Sequence, residues 1–184
     1  MNWSLVKTMW TLVVPVILQG MVVTVVFFTD RLLLGRYDDT ALASMQISGP
    51  LLWSLFSVFA AFIAGTMAVL GRAVGAKEPE KAQRALVSVM AFGIVLGTLV
   101  GSLCWFLRPW FADVLSGPAG TQDVRMMAET YMGVVLLGLP LNLVHITGVT
   151  ALQSDGDTRT PMWISAIQGV LNLVLSWLLL WGYG

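Results

Sequence analysis

Long apolar runs separated by short polar segments set the pattern of this chain. No charged residue occurs between Lys7 and Asp30, and comparable runs recur four more times. A helix needs roughly 20 mainly apolar residues to cross the hydrocarbon core of a bilayer. Five stretches meet that length, at about residues 9–34, 48–70, 85–107, 131–152 and 162–183. No strand-like alternation competes with them, and no internal repeat is visible. The reading is an all-α integral membrane protein with five transmembrane helices, forming a single membrane domain over residues 1–184. The short "QSDGDTRTP" turn makes the fourth and fifth spans antiparallel neighbours. The uncharged run after Lys7 exceeds the roughly 7–15 residues of a signal-peptide core, so it reads as a permanent span.

Composition agrees. Only 11% of residues are charged and 57% are apolar, whereas a soluble domain carries about 25% charged residues. A formal net charge of zero leaves no basic footprint for nucleic acid. The single Cys104 excludes an internal disulfide and a cysteine-rich metal site. Basic residues in the loops set orientation. With the N-terminus cytoplasmic, Lys7, Arg72, Lys77, Lys81, Arg84 and Arg159 lie inside, against Arg31, Arg36, Arg108 and Arg125 outside. The expected location is a bacterial-type inner (plasma) membrane, with the chain passing through it several times.

Two patterns read as packing devices. "GIVLGTLVG" sets Gly93, Gly97 and Gly101 four apart, a small-residue ridge that admits another helix closely. Most tryptophans, such as Trp53, Trp105, Trp110, Trp163, Trp177 and Trp181, fall near span ends and suit interfacial anchoring.

Polar residues inside the spans carry the candidate chemistry, because each costs energy in hydrocarbon. The first span holds Pro15, Gln19, Thr24 and Asp30. Pro15 removes one backbone donor and tends to kink a helix. The result is either a static bend or carbonyls open to water, an ion or a neighbouring helix. Asp30 is either an interfacial residue snorkelling with Arg31, or a carboxyl group held away from water that exchanges a proton. Arg31 is adjacent but points about 100° away on a helix, so the two need not face each other. The fourth span holds Tyr131, Asn142, His145 and Thr147, of which His145 reads as a packing residue. In the fifth, Asn172 and Ser176 are four apart and share a face. They suit a helix–helix contact or neutral ligation of a cation. No catalytic order of Ser, His and Asp, no paired catalytic carboxylates, no P-loop and no HExxH sequence occurs, so the chain is not read as an enzyme and no cofactor is expected.

Four stretches together resemble one family. "VVPVILQGMVVTVVFFTDRLLLGRYDDTALAS", "VLGRAVGAKEPEKAQRA", "YMGVVLLGLPLNLVHITGVTALQSDGDTRTPM" and "VLNLVLSWLLL" are similar to the first five helices and the connecting loops of the multidrug and toxic compound extrusion (MATE) family. The resemblance implies a cation-coupled (proton or sodium) multidrug efflux antiporter acting on small amphipathic or cationic substrates. It implies a twelve-helix, two-lobe fold, of which this chain supplies part of one six-helix lobe. It assigns ion coupling to Asp30, Tyr131 and Asn172, and the helix kink to Pro15. Many members carry a second aspartate four residues after the asparagine. Here that position is Ser176, leaving a polar contact and proton coupling at Asp30, or coupling through residues outside this chain. Five spans imply a fragment of a longer transporter, or a subunit that completes its path with a second lobe or another copy. A lipid-linked saccharide flippase-type exporter and a truncated non-transporting membrane protein are the alternatives.

Overall fold

A computed structural model describes residues 3–118 and 120–182, and among these all regular structure is helical. The elements are α1 (Trp3–Tyr37), α2 (Asp39–Gly75), α3 (Pro79–Ser116), α4 (Gln122–Leu137), α5 (Leu139–Ser154) and α6 (Arg159–Trp181). Their ends follow from local chemistry. Asp38 is extended and its carboxylate accepts from the Thr40 amide at 2.7 Å, which stops α1 and starts α2. After α2, the Ala76 amide donates back to the Arg72 carbonyl at 2.9 Å and the Lys77 amide to Val74 at 2.9 Å. Lys77 takes a positive φ of 57°, and Pro79 then opens α3 at a position where its missing N–H costs nothing. In "GDTRTPM", Gly156 turns at φ 88°. The Asp157 carboxylate next to it accepts from the Arg159 and Thr160 amides at 3.1 and 3.0 Å.

Four helices, α1, α2, α3 and α6, are each long and apolar enough to cross a membrane. They start or end beyond the expected spans, α2 at Asp39 and α3 at Ser116 for example. The fifth expected span closes at Trp181, and its last position, 183, lies outside the described residues. The expected fourth span, 131–152, differs most. It is not one straight helix: α4 and α5 meet at Gly138 with a bend of 47°. Pro140 has no N–H for the Leu136 carbonyl, and the Gly138 amide turns back to Val135 at 3.0 Å. Together the pair is long and apolar enough to count as one broken span. Helices α1 and α6 run parallel, because Val22 and Val26 flank Gly169, Asp30 meets Ser176, and Tyr37 meets Trp181.

The helices gather into two compact units, one of α1 with the chain from Leu152 through α6, the other of Asp38–Ala151. The second has a core of Leu52, Phe59, Cys104, Ala112, Ala128, Met132, Leu136, Leu139 and Leu143. Its glycine ridge is the contact face expected for it. A Cβ on Gly97 would lie 2.8 Å from the Pro140 Cα, and one on Gly101 2.9 Å from the Leu136 carbonyl oxygen. The ridge therefore receives the α4–α5 bend itself. At Gly93 a Cβ would meet Phe62 at only 3.4 Å, an ordinary contact.

Two ion pairs fasten α3 to α4. Arg125 meets Asp113 at 2.5 Å and donates to the Gly117 carbonyl at 2.7 Å. Arg108 meets Glu129 at 3.3 Å, and its guanidinium lies 3.8 Å from the centre of the Trp105 ring. Trp105 thus packs under a cation, about three turns before the end of α3.

Candidate functional site

Asp30 sits on the face of α1 that meets α6, in line with Gln19, Val22 and Val26. That spacing places a carboxyl group on a seam otherwise built of valine and glycine. From α6, Asn172 and Ser176 reach it. The Ser176 hydroxyl donates to Asp30 Oδ1 at 3.2 Å. The Asn172 amide satisfies both partners when its nitrogen faces the carboxylate, 3.0 Å from Oδ1 and 3.3 Å from Oδ2. All three side chains are half-buried.

The electrostatics are simple. Both groups that reach the carboxylate are neutral donors. Arg31 stacks instead over the Phe27 ring, 4.3 Å from its centre, and among the described residues no ion pair joins it to Asp30. Helical rotation separates the neighbours, as their spacing implies. Thr24 and Thr29 donate to the Gly20 and Val25 carbonyls of their own helix at 2.9 and 2.8 Å. Among the described residues, no three His, Cys, Asp or Glu side chains cluster as metal ligands would.

The structure thus brings Asp30, Asn172 and Ser176 together. Tyr131 belongs to the other helical unit, where it is partly buried against the core. Pro15 is buried within α1, which continues through it as one helix. It lies about 22 Å along the axis from Asp30, so any bend there acts at a distance from the carboxylate. His145 is exposed and Asn142 half-buried.

Three features of this architecture escape sequence reasoning. Gln153, at the end of α5, donates to Gln19 at 3.2 Å midway along α1. Arg108, Glu129 and Trp105 form one stack. Gly169 packs against α1, and a Cβ there would sit 3.0 Å from methyl groups of both Val22 and Val26. Only for Gly169 was a signal present: it falls one turn before Asn172, on the same face.

A half-buried carboxyl group between two parallel apolar helices, within a chain of several membrane-crossing helices, defines a multi-pass membrane protein with an ionisable group inside its helix packing. Comparison with known proteins makes this specific. The MatE family profile matches residues 15–178, and the chain belongs to that family.

Among curated relatives, the probable multidrug resistance protein YoeA of Bacillus subtilis is 23% identical over 94% of this chain and 37% of its own length. The probable multidrug resistance protein NorM of Thermotoga maritima is 26% identical over 96% and 37%. A protein named FAD transporter from Shewanella oneidensis is 26% identical over 84% and 34%. The chain therefore spans little more than a third of the relatives it matches. A crystal structure of a MATE protein in complex with MaD3S superposes with a TM-score of 0.87 at 20% identity, over 97% of this chain and 39% of that one. An outward-facing multidrug resistance MATE transporter superposes with a TM-score of 0.85. The helical fold is that of these transporters.

Proposed function

We propose that this chain is the N-terminal part of a proton-coupled multidrug efflux antiporter of the plasma membrane, with Asp30 as the group that takes up and releases the coupling ion. The observation that carries the proposal is the Asp30 carboxylate, held by Asn172 and Ser176 on the α1–α6 seam and, among the described residues, in no ion pair. A carboxylate held by neutral donors can accept a proton without first breaking an ion pair. The site gathers one carboxyl group with two neutral side chains, an arrangement suited to a proton more than to sodium, which asks for several oxygen ligands. Ser176 in place of a second carboxylate points the same way. The substrates are small amphipathic or cationic compounds, and the transport path is completed by a second lobe or another copy. The N-terminus is cytoplasmic, on the balance of lysine and arginine between the loops. Arg31, stacked on Phe27, offers no support to the alternative of a lipid-linked saccharide exporter, which needs cations free to hold phosphates.

The test is efflux of a cationic dye from cells carrying the protein in its full genomic context. Asp30→Asn is expected to abolish efflux driven by a proton gradient while leaving the protein in the membrane. Unchanged efflux removes Asp30 from the mechanism.

A further inference from the structure

We infer that Gly169 is a positioning residue for the Asp30 site: its missing side chain lets α1 and α6 approach closely enough for Asn172 and Ser176 to reach the carboxylate. The inference rests on the reading of Asp30 as a proton-exchanging group. Its geometry is independent of that reading.

Gly169 lies three residues before Asn172 and seven before Ser176, so all three fall on one face of α6. At Gly169 a Cβ would meet Val22 Cγ1 and Val26 Cγ2, both at 3.0 Å. Neither contact is the far end of a flexible chain, because each methyl sits on a β-branched residue with a stiff χ1. Relief requires that these valines shift or that the helices part by a few tenths of an ångström, and parting moves the site one turn away. The Ser176 bond is already 3.2 Å and the Asn172 bonds are 3.0 and 3.3 Å. A few tenths of an ångström at the crossing takes the longer of these to the limit of a hydrogen bond. Gly20 of the same unit does not share the role: a Cβ there would meet nothing within 4 Å.

The experiment labels the protein in its full genomic context, reconstituted in phosphatidylcholine vesicles, with dicyclohexylcarbodiimide, which reacts with protonated carboxyl groups in apolar surroundings. Mass spectrometry then follows the adduct at Asp30. At one fixed pH, Gly169→Ala is expected to raise the labelling rate at Asp30 about fivefold, the equivalent of one net hydrogen bond, with an unchanged circular dichroism spectrum. Adding Val22→Ala and Val26→Ala, which makes room for the new methyl group, is expected to restore the original rate. A merely structural glycine would lower thermal stability and leave the labelling ratio at one.

An unchanged rate, a rise that the two valine substitutions do not reverse, or no label at Asp30 in either protein overturns the inference. Should Gly169→Ala fail to fold, Val26→Ile thickens the same contact from α1 and is expected to raise the rate likewise; no rise there overturns it too. The pH series on the unaltered chain separates the two readings. A labelling rate that does not fall as pH rises removes proton exchange at Asp30, while the ratio between the two proteins still tests Gly169.

Discussion

Asn172 faces Asp30 across the α1–α6 seam, with its amide nitrogen 3.0 Å from one carboxylate oxygen and 3.3 Å from the other. Ser176, one turn further along α6, donates to the same carboxylate at 3.2 Å. An aspartate at position 176 would stand beside Asp30 and close a two-carboxylate site around a cation. Ser176→Asp is therefore expected to make thermal stability depend on sodium, with a higher Tm in sodium than in choline chloride. The unaltered chain is expected to show no such difference. Equal melting curves for Ser176→Asp in the two salts would refute this.

Gly97 tolerates no side chain, because a Cβ would lie 2.8 Å from the Pro140 Cα and 3.1 Å from its nitrogen. Both are backbone atoms and cannot rotate away. Gly97→Ala is expected to cost about 1–3 kcal/mol by overpacking, and Gly93→Ala, whose Cβ meets the Phe62 ring at 3.4 Å and Leu143 at 3.7 Å, much less. Denaturation in detergent ranks the two, and equal losses would contradict the close approach at the bend.

The Arg108–Glu129 pair is partly shielded, its side chains 24% and 31% exposed. Removing either partner is expected to cost about 1–2 kcal/mol, below the value for a fully buried pair because water still screens it. Arg108→Lys is expected not to restore the loss, since an ammonium does not reproduce the planar guanidinium stacked 3.8 Å above Trp105. A double-mutant cycle measures the coupling, and full stability in the lysine variant would refute the stacking role.

Asp157 caps the start of α6, and hydrogen bonds from the Thr160 side chain and amide hold its carboxyl below the ordinary value of 3.8. A lowered folded-state value means that the cap stabilises the charged form. Its contribution is complete above the ordinary value and is lost as pH falls through the lower folded value. Amide exchange at Arg159 and Thr160 is expected to lose protection at that acid end, whereas Asp157→Ala shows the lower protection at all pH. Protection unchanged into strong acid would exclude the cap.

Lys77 adopts φ 57°, where a Cβ is disfavoured by about 1 kcal/mol. Lys77→Gly is expected to be neutral or stabilising, and Lys77→Val destabilising, by thermal melting.

The membrane-crossing helices were legible in the sequence because the hydrocarbon thickness sets a length that an apolar run must reach. The ridge of Gly93, Gly97 and Gly101 was legible as a contact face for the same kind of reason, since small residues at helical spacing have one plain physical use. Asn172 and Ser176 could be placed on one face by counting, and the family was carried by loop sequences such as "GDTRTPM", whose Asp157 turns out to cap α6. The partners were not legible. Which helix lies against the ridge depends on the Gly138–Pro140 bend, and a proline in a sequence marks a weakened helix without saying what receives it. That Asp30 finds Asn172 while Arg31 finds Phe27 follows from the rotation of α1 against a parallel α6. That pairing joins residues more than 140 positions apart, and helical periodicity reaches only a few turns. Length, composition and local spacing were thus determined by the chain itself; the hydrogen-bonded carboxylate and the glycine that lets α6 approach it were decided by tertiary packing.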